Sequence, residues 1–149
     1  MRSYYTQINE YLQRLIKNVL IHDRKQLGIK DKRFSIMEIY ILKILGKDGS
    51  KKMFELIGEL SIDRNIFVTV INRLQHEGLV TKTQSLEDKR TYLLNLTEKG
   101  HEIYNKIIEK EKDILSVLLN DFSFNEEKAI LKFLVKIDML NKERDKKTR

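Results

Sequence analysis

The sequence predicts a mainly α-helical fold carrying one small β-hairpin. Three observations point there. The 149 residues include no proline, so nothing of that kind breaks a long helical run. Apolar residues recur at three- and four-residue steps through most of the chain. Only residues 79–96 change to a period of two. The length fits one domain with a core of its own, or one domain plus an oligomerisation element.

Composition narrows the class. The chain is 41% hydrophobic and 34% charged, as expected of a globular protein. It has no cysteine, which excludes a disulfide framework, a thiolate zinc site and a thiol switch. No apolar run is long enough for a membrane span or a signal-peptide core. A cytoplasmic protein with no membrane partner is therefore expected. The net charge is +7, concentrated in residues 1–46, which hold nine basic and four acidic side chains. This balance fits contact with nucleic acid without establishing it.

The first helix is predicted from residue 4 to about 26, ending at Gly28. Ile8, Tyr11, Leu12, Leu15, Ile16, Val19 and Leu20 give it a wide apolar face. That face suits either the core or a subunit interface. Lys30 to Arg33 reads as a basic connector. Ser35 and Glu38 have capping-box spacing, and the helix they open runs from about Ile36 to Leu45. It is expected to bury Ile39, Leu42 and Leu45, with Ile41 and Ile44 beside them, and a turn follows at Asp48 to Ser50.

Met53 to Leu60 is predicted as a short helix, and Ser61 to Asp63 as a turn. The next helix starts at Asp63 or Arg64 and stops at Gly78. Aspartate accepts well from the free donors of a first turn, and glycine takes the left-handed conformation that ends a helix. Phe67, Val70, Ile71 and Leu74 form one apolar stripe. The run Ile66 to Ile71 is rich in β-branched residues and could be a strand. The caps and the continuation of the stripe decide for the helix. Two short helices joined by a tight turn form a helix-turn-helix.

Beyond Gly78, Leu79 to Thr83 and Arg90 to Leu96 read as strands around a charged turn, a hairpin of the kind called a wing. Thr97 caps a helix from Glu98 to about Asn120, and Ser123 with Glu126 opens a last one. Its inward face includes Leu134 and Ile137, and Asn141 to Arg149 is expected to fray. No repeat or low-complexity segment is present.

Catalysis has no foothold in this pattern. His22, His76 and His101 fall in different elements and in no metal-binding spacing. There is no phosphate loop and no nucleophile elbow, so neither an enzyme, a metal nor a cofactor is expected. The winged helix-turn-helix is the strongest constellation. A recognition helix fits the major groove, where base edges carry a distinct donor and acceptor code. Arg64, Asn65, Val68, Thr69, Asn72 and Arg73 lie off the apolar stripe and are the candidate DNA contacts there. Ile66 could join them if exposed. At the wing, Lys89 and Arg90 can reach a minor groove, and Asp88 can hold Arg90 by an ion pair. The bland alternative for each is a solvated charged surface.

Asp88-Lys89-Arg90, followed by Tyr92 to Leu96 and Leu96-Thr97-Glu98-Lys99-Gly100, resembles the wing of the MarR family of bacterial transcriptional regulators. The family's wing carries D-x-R and then an L-T-x-x-G helix start. Glu55-Leu56 with Leu60, and Arg73-Leu74 with Glu77 to Val80, resemble its helix-turn-helix. The likeness covers nearly the whole chain in the same element order.

The resemblance implies a winged helix-turn-helix with N- and C-terminal dimerisation helices. In that frame residues 1–149 form one MarR-like domain, with 34–100 as the winged lobe and 1–33 and 101–149 as dimerisation helices. Ile8, Leu12, Leu15, Val19, Leu134 and Ile137 are the candidate dimer contacts. The resemblance further implies a homodimeric regulator, a repressor rather than an activator, on a pseudo-palindromic operator in double-stranded DNA. Arg90 would enter the minor groove with Asp88 positioning it. Many family members release DNA on binding a small phenolic or lipophilic anion.

The chain departs from the family at Ile66 and Val68, where Ser or Thr often faces the bases, which shifts readout toward thymine methyls or shape. Lys52 replaces a common capping Thr. Ile57 replaces a common Ala, and Gly58 is expected to supply the close approach instead. The alternative from another class is a winged-helix protein-interaction module without specific DNA binding.

Overall fold

The computed structural model describes residues 3–148. Helix α1 (Tyr5–Lys25) leads into an antiparallel hairpin of β1 (Leu27–Ile29) and β2 (Lys32–Phe34). Helix α2 (Ile36–Asp48), strand β3 (Lys51–Lys52), and helices α3 (Met53–Leu60) and α4 (Arg64–His76) follow. Strands β4 (Val80–Gln84) and β5 (Tyr92–Leu96) precede helices α5 (Glu98–Leu119) and α6 (Phe124–Thr148). The fold is the expected mainly helical one with a small antiparallel wing. It divides into two compact units, Met1–Ile108 and Glu109–Arg149.

The core of the first unit is aliphatic, with two phenylalanines. Ile41, Leu42 and Leu45 of α2 meet Leu56 of α3, and Phe67, Ile71 and Leu74 of α4. Leu79, Val80 and Leu94 of the wing and Ile103 and Ile107 of α5 close it. Burying each such side chain stabilises the fold by about 1.5–3 kcal/mol. The buried side of α2 centres on Ile41, and Ile39 is only half-buried. The expectation for Ile39 is corrected by a modest rotation of the helix.

The wing is a three-stranded antiparallel sheet in the order β3-β5-β4. Val80 faces Leu96 and Gln84 faces Tyr92, while Lys51 faces Leu94. Its base is locked to the start of α5. The Thr97 hydroxyl donates to the Gly78 carbonyl at 2.6 Å and accepts from the Gly100 N–H at 3.0 Å. A Cβ on Gly100 would stand 2.1 Å from the Leu79 carbonyl oxygen, so only glycine lets helix and strand approach this closely. Gly58, expected to serve a close approach, has nothing within 4 Å of where its Cβ would be.

Helix α2 runs on to Asp48 and β5 starts only at Tyr92, and the first helix, the segment after it and the C-terminal stretch also depart from the sequence reading. The first helix ends at Lys25, capped by Gln26 at φ 62, and Gly28 lies inside β1. The supposed connector after it is the β1–β2 hairpin, turned by Lys30 at φ 54. The stretch from Asn141 does not fray within the described residues, because α6 continues to Thr148. Lysine, arginine and glutamate are good helix formers there, and Lys142 pairs with Asp138 at 3.0 Å.

In the second unit, the Ser123 hydroxyl accepts from the Glu126 N–H at 3.3 Å, and the Glu126 carboxylate accepts from the Ser123 N–H at 3.0 Å. The backbone N–H of Ser123, then its hydroxyl, holds the Glu126 carboxyl below its ordinary value.

Candidate nucleic-acid interface

Helix α4 begins where its sequence says it should. The Asp63 carboxylate accepts from the N–H of Asn65 at 2.8 Å and of Ile66 at 3.4 Å. Ser61 takes a left-handed conformation at the end of α3 and turns the chain into it. Gly78, at φ 74, closes the far end. Phe67, Ile71 and Leu74 are buried, so the orientation of the helix is set by its apolar stripe.

The opposite face presents Arg64, Asn65, Thr69 and Asn72 to solvent. Thr69 is exposed, and its hydroxyl donates to the Asn65 carbonyl at 3.0 Å, so the oxygen keeps its acceptor capacity. Ile66 is 57% exposed and sits in this row, meeting the condition set for it. Val68 is half-buried against the core, which limits what it can offer a base.

Arg73 stands apart from the row. Its Nη1 donates to the buried Glu38 carboxylate on α2, and its Nη2 donates to the Arg33 carbonyl at 2.8 Å. Glu38 was read as the return half of a capping box. The Ser35 hydroxyl does accept from its N–H at 3.2 Å, and its carboxylate pairs with Arg73. Burial pushes the Glu38 carboxyl above its ordinary value, and the positive charge of Arg73 and the Ser35 hydroxyl oppose that shift.

The wing tip is a compact turn. The Ser85 N–H donates to the Thr91 carbonyl at 2.8 Å, and the Thr91 N–H to the Asp88 carbonyl at 2.9 Å. Asp88 Oδ1 accepts from the Arg90 N–H at 3.0 Å and from Arg90 Nε at 3.3 Å. The backbone N–H of Arg90, then its guanidinium, holds the Asp88 carboxyl below the usual aspartate range. The Arg90 side chain is 93% exposed, so this pair orients a cation in open solvent. Lys89 is exposed beside it, and its carbonyl accepts from the Gln84 amide. Below the tip, the Lys82 ammonium lies 4.5 Å from the centre of the Tyr92 ring.

Sequence reasoning passed over Leu86, fully exposed at the tip. Its signal was a lone leucine inside the polar turn Ser85 to Arg90. The candidate dimer contacts lie on open apolar faces. Ile8, Leu15 and Val19 of α1 are exposed and Leu12 half-buried, and in the second unit Leu134 and Ile137 of α6 are exposed. Neither helix has a buried residue among those described. No group of three potential metal ligands occurs among the described residues, and no helix there is long and apolar enough to cross a membrane.

Comparison with known proteins agrees with this geometry. Residues 23–107 match the family model described as transcriptional regulator SarA/Rot. The uncharacterized HTH-type transcriptional regulator YpoP of Bacillus subtilis is 25% identical over 134 residues, covering 89% of this chain and 95% of YpoP. The crystal structure of Streptococcus pneumoniae FabT in complex with DNA superposes with a TM-score of 0.82 at 25% identity, covering 93% of this chain and 98% of that one. A MarR protein from Peptoclostridium difficile gives a TM-score of 0.75 at 25% identity, covering 100% of this chain and 94% of its own.

Proposed function

The chain belongs to the SarA/Rot family of transcriptional regulators, within the MarR type of DNA-binding winged-helix proteins, and on that premise we propose that it is a homodimeric repressor of a pseudo-palindromic operator. Each lobe, residues 34–100, places α4 in a major groove and the wing in the flanking minor groove. Arg64, Asn65, Thr69 and Asn72 face the bases and phosphates, with Ile66 and the accessible edge of Val68 against thymine methyls. Lys89 and Arg90 enter the minor groove, with Asp88 holding Arg90 in position. Residues 1–33 and 101–149 form the dimer interface.

One observation carries the DNA reading. A capped helix, turned off α3 by a left-handed residue, presents a row of polar side chains to solvent while its other face is locked in the core. The FabT relative is a complex with DNA, which agrees with that use of the fold. The dimer reading rests on apolar area. Ile8, Leu15 and Val19 of α1 and Leu134 and Ile137 of α6 are exposed, and contiguous apolar faces of this kind mark interaction surfaces. Release by a small phenolic or lipophilic anion belongs to the same reading, and adding such anions to the preformed complex tests it.

Titration of a labelled duplex pool at several salt concentrations tests the proposal. Neutralising several phosphates releases as many counterions, so affinity should fall steeply and log-linearly with salt, with two chains bound per duplex. A protein-interaction module would show no such binding.

A further inference from the structure

We infer that Arg73 is a positioning residue for DNA recognition, whose guanidinium braces helix α4 against buried Glu38 and the β1–β2 hairpin instead of reaching DNA. The inference rests on the DNA-binding reading above and adds a device to it.

Glu38 is only 4% exposed, and an ionised carboxylate is costly to bury unless it is paired. Arg73 supplies the pair through Nη1. The guanidinium is a planar fork of fixed geometry, and its second nitrogen lies 2.8 Å from the Arg33 carbonyl on β2. Both contacts come from residues 35 or more positions away, on two different elements. A side chain held at both ends of its fork is poorly placed to turn toward a phosphate.

The hairpin that Arg73 grips is itself tied down on both sides. The Lys32 ammonium lies 2.7 Å from the Glu77 carboxylate and donates to the Glu77 carbonyl at 3.0 Å, at the end of α4. On the other side, Arg33 Nη1 donates to the Lys25 carbonyl at 3.1 Å, in the last turn of α1. The Asp23 carboxylate of α1 accepts from the Ile36 N–H at 2.9 Å, at the start of α2. These bonds join the end of α1 to the C-terminal end of the recognition helix through one small hairpin. With α1 as a dimerisation helix, they set the angle of α4 to the dimer axis. Phosphate attraction tolerates an error in that angle, but base readout does not.

Two variants test this on the best duplex selected from randomised DNA. Non-specific DNA and thermal melting serve as controls. Arg73→Lys keeps the charge but loses the fork. Glu38→Gln keeps the shape but removes the buried charge, and Glu38 cannot itself touch DNA. Both should bind the selected duplex about tenfold or more weakly. Affinity for non-specific duplex, and its salt dependence, should stay at the wild-type value. A merely structural role would lower both affinities together with the melting point. Wild-type affinity for the selected duplex in folded Glu38→Gln overturns the inference, and so does wild-type affinity in folded Arg73→Lys. If Arg73→Lys does not fold, Glu38→Gln alone decides. Wild-type protein that selects no duplex would instead overturn the DNA-binding reading on which the inference stands.

Discussion

Arg90 is bound twice by one oxygen: Asp88 Oδ1 accepts from its N–H at 3.0 Å and from its Nε at 3.3 Å. The pair shapes the turn and aims the guanidinium, yet the arginine supports no core, being almost wholly exposed. Arg90→Ala should therefore weaken DNA binding about tenfold or more and reduce the salt slope without unfolding the protein. Asp88→Ala should act in the same direction, more mildly, because the cation remains and only its aim is lost. Fluorescence anisotropy across a salt series reads both. Unchanged affinity in Arg90→Ala would remove the wing from the mechanism.

The same pair predicts a pH effect. The Asp88 carboxyl sits below its ordinary value in the folded chain, so the unfolded state binds more protons across the interval between the two. Its contribution to stability is present above the ordinary aspartate value and is lost as pH falls through the lowered one. The backbone N–H of residue 90 is the larger cause and the side chain the smaller. Arg90→Ala should thus raise the Asp88 midpoint only part of the way back. A carboxyl NMR titration would measure this, and a full return would mean that the side chain dominates.

Helix α4 was legible because its caps and its apolar stripe outweighed the strand signal of the β-branched run Ile66 to Ile71. Asp63 caps it, Gly78 closes it, and the stripe of Phe67, Ile71 and Leu74 fixes its buried side. The β1–β2 hairpin was not legible. Its strands are three residues each, too short to show a period, and its turn uses Lys30 in a left-handed conformation where glycine would have been the signal. Gly28 gave a false stop for the same reason. Arg73 is exposed, as its spacing predicts, but its contact with Glu38 was not legible because that partner lies 35 residues earlier, and spacing along a helix says nothing about such a contact. The exposed row of Arg64, Asn65, Thr69 and Asn72 was readable from periodicity alone.

The apolar face of α1 makes a prediction about assembly. Leu15 is exposed, so a charge there does not disturb the core of the chain itself. Leu15→Asp should leave helix content unchanged and shift the protein from dimer to monomer in sedimentation equilibrium, because an aspartate in an apolar interface stays unpaired. A folded dimer of Leu15→Asp would place the interface elsewhere.

The joint between wing and α5 should tolerate no side chain. A Cβ at position 100 would meet the Leu79 carbonyl oxygen at 2.1 Å, and backbone atoms cannot swing aside as a flexible side chain does. Gly100→Ala should lower stability by about 1–3 kcal/mol in urea unfolding, although alanine is the better helix former. A neutral or stabilising result would mean that the contact relaxes freely.

The central claim is that two winged lobes read one DNA sequence. Selection of randomised duplex DNA by the purified protein at near-physiological salt, followed by sequencing, tests it most directly. An enriched, A·T-rich pseudo-palindrome with half-sites about one helical turn apart is the expected result. Weak, salt-sensitive binding with no enriched sequence would contradict it.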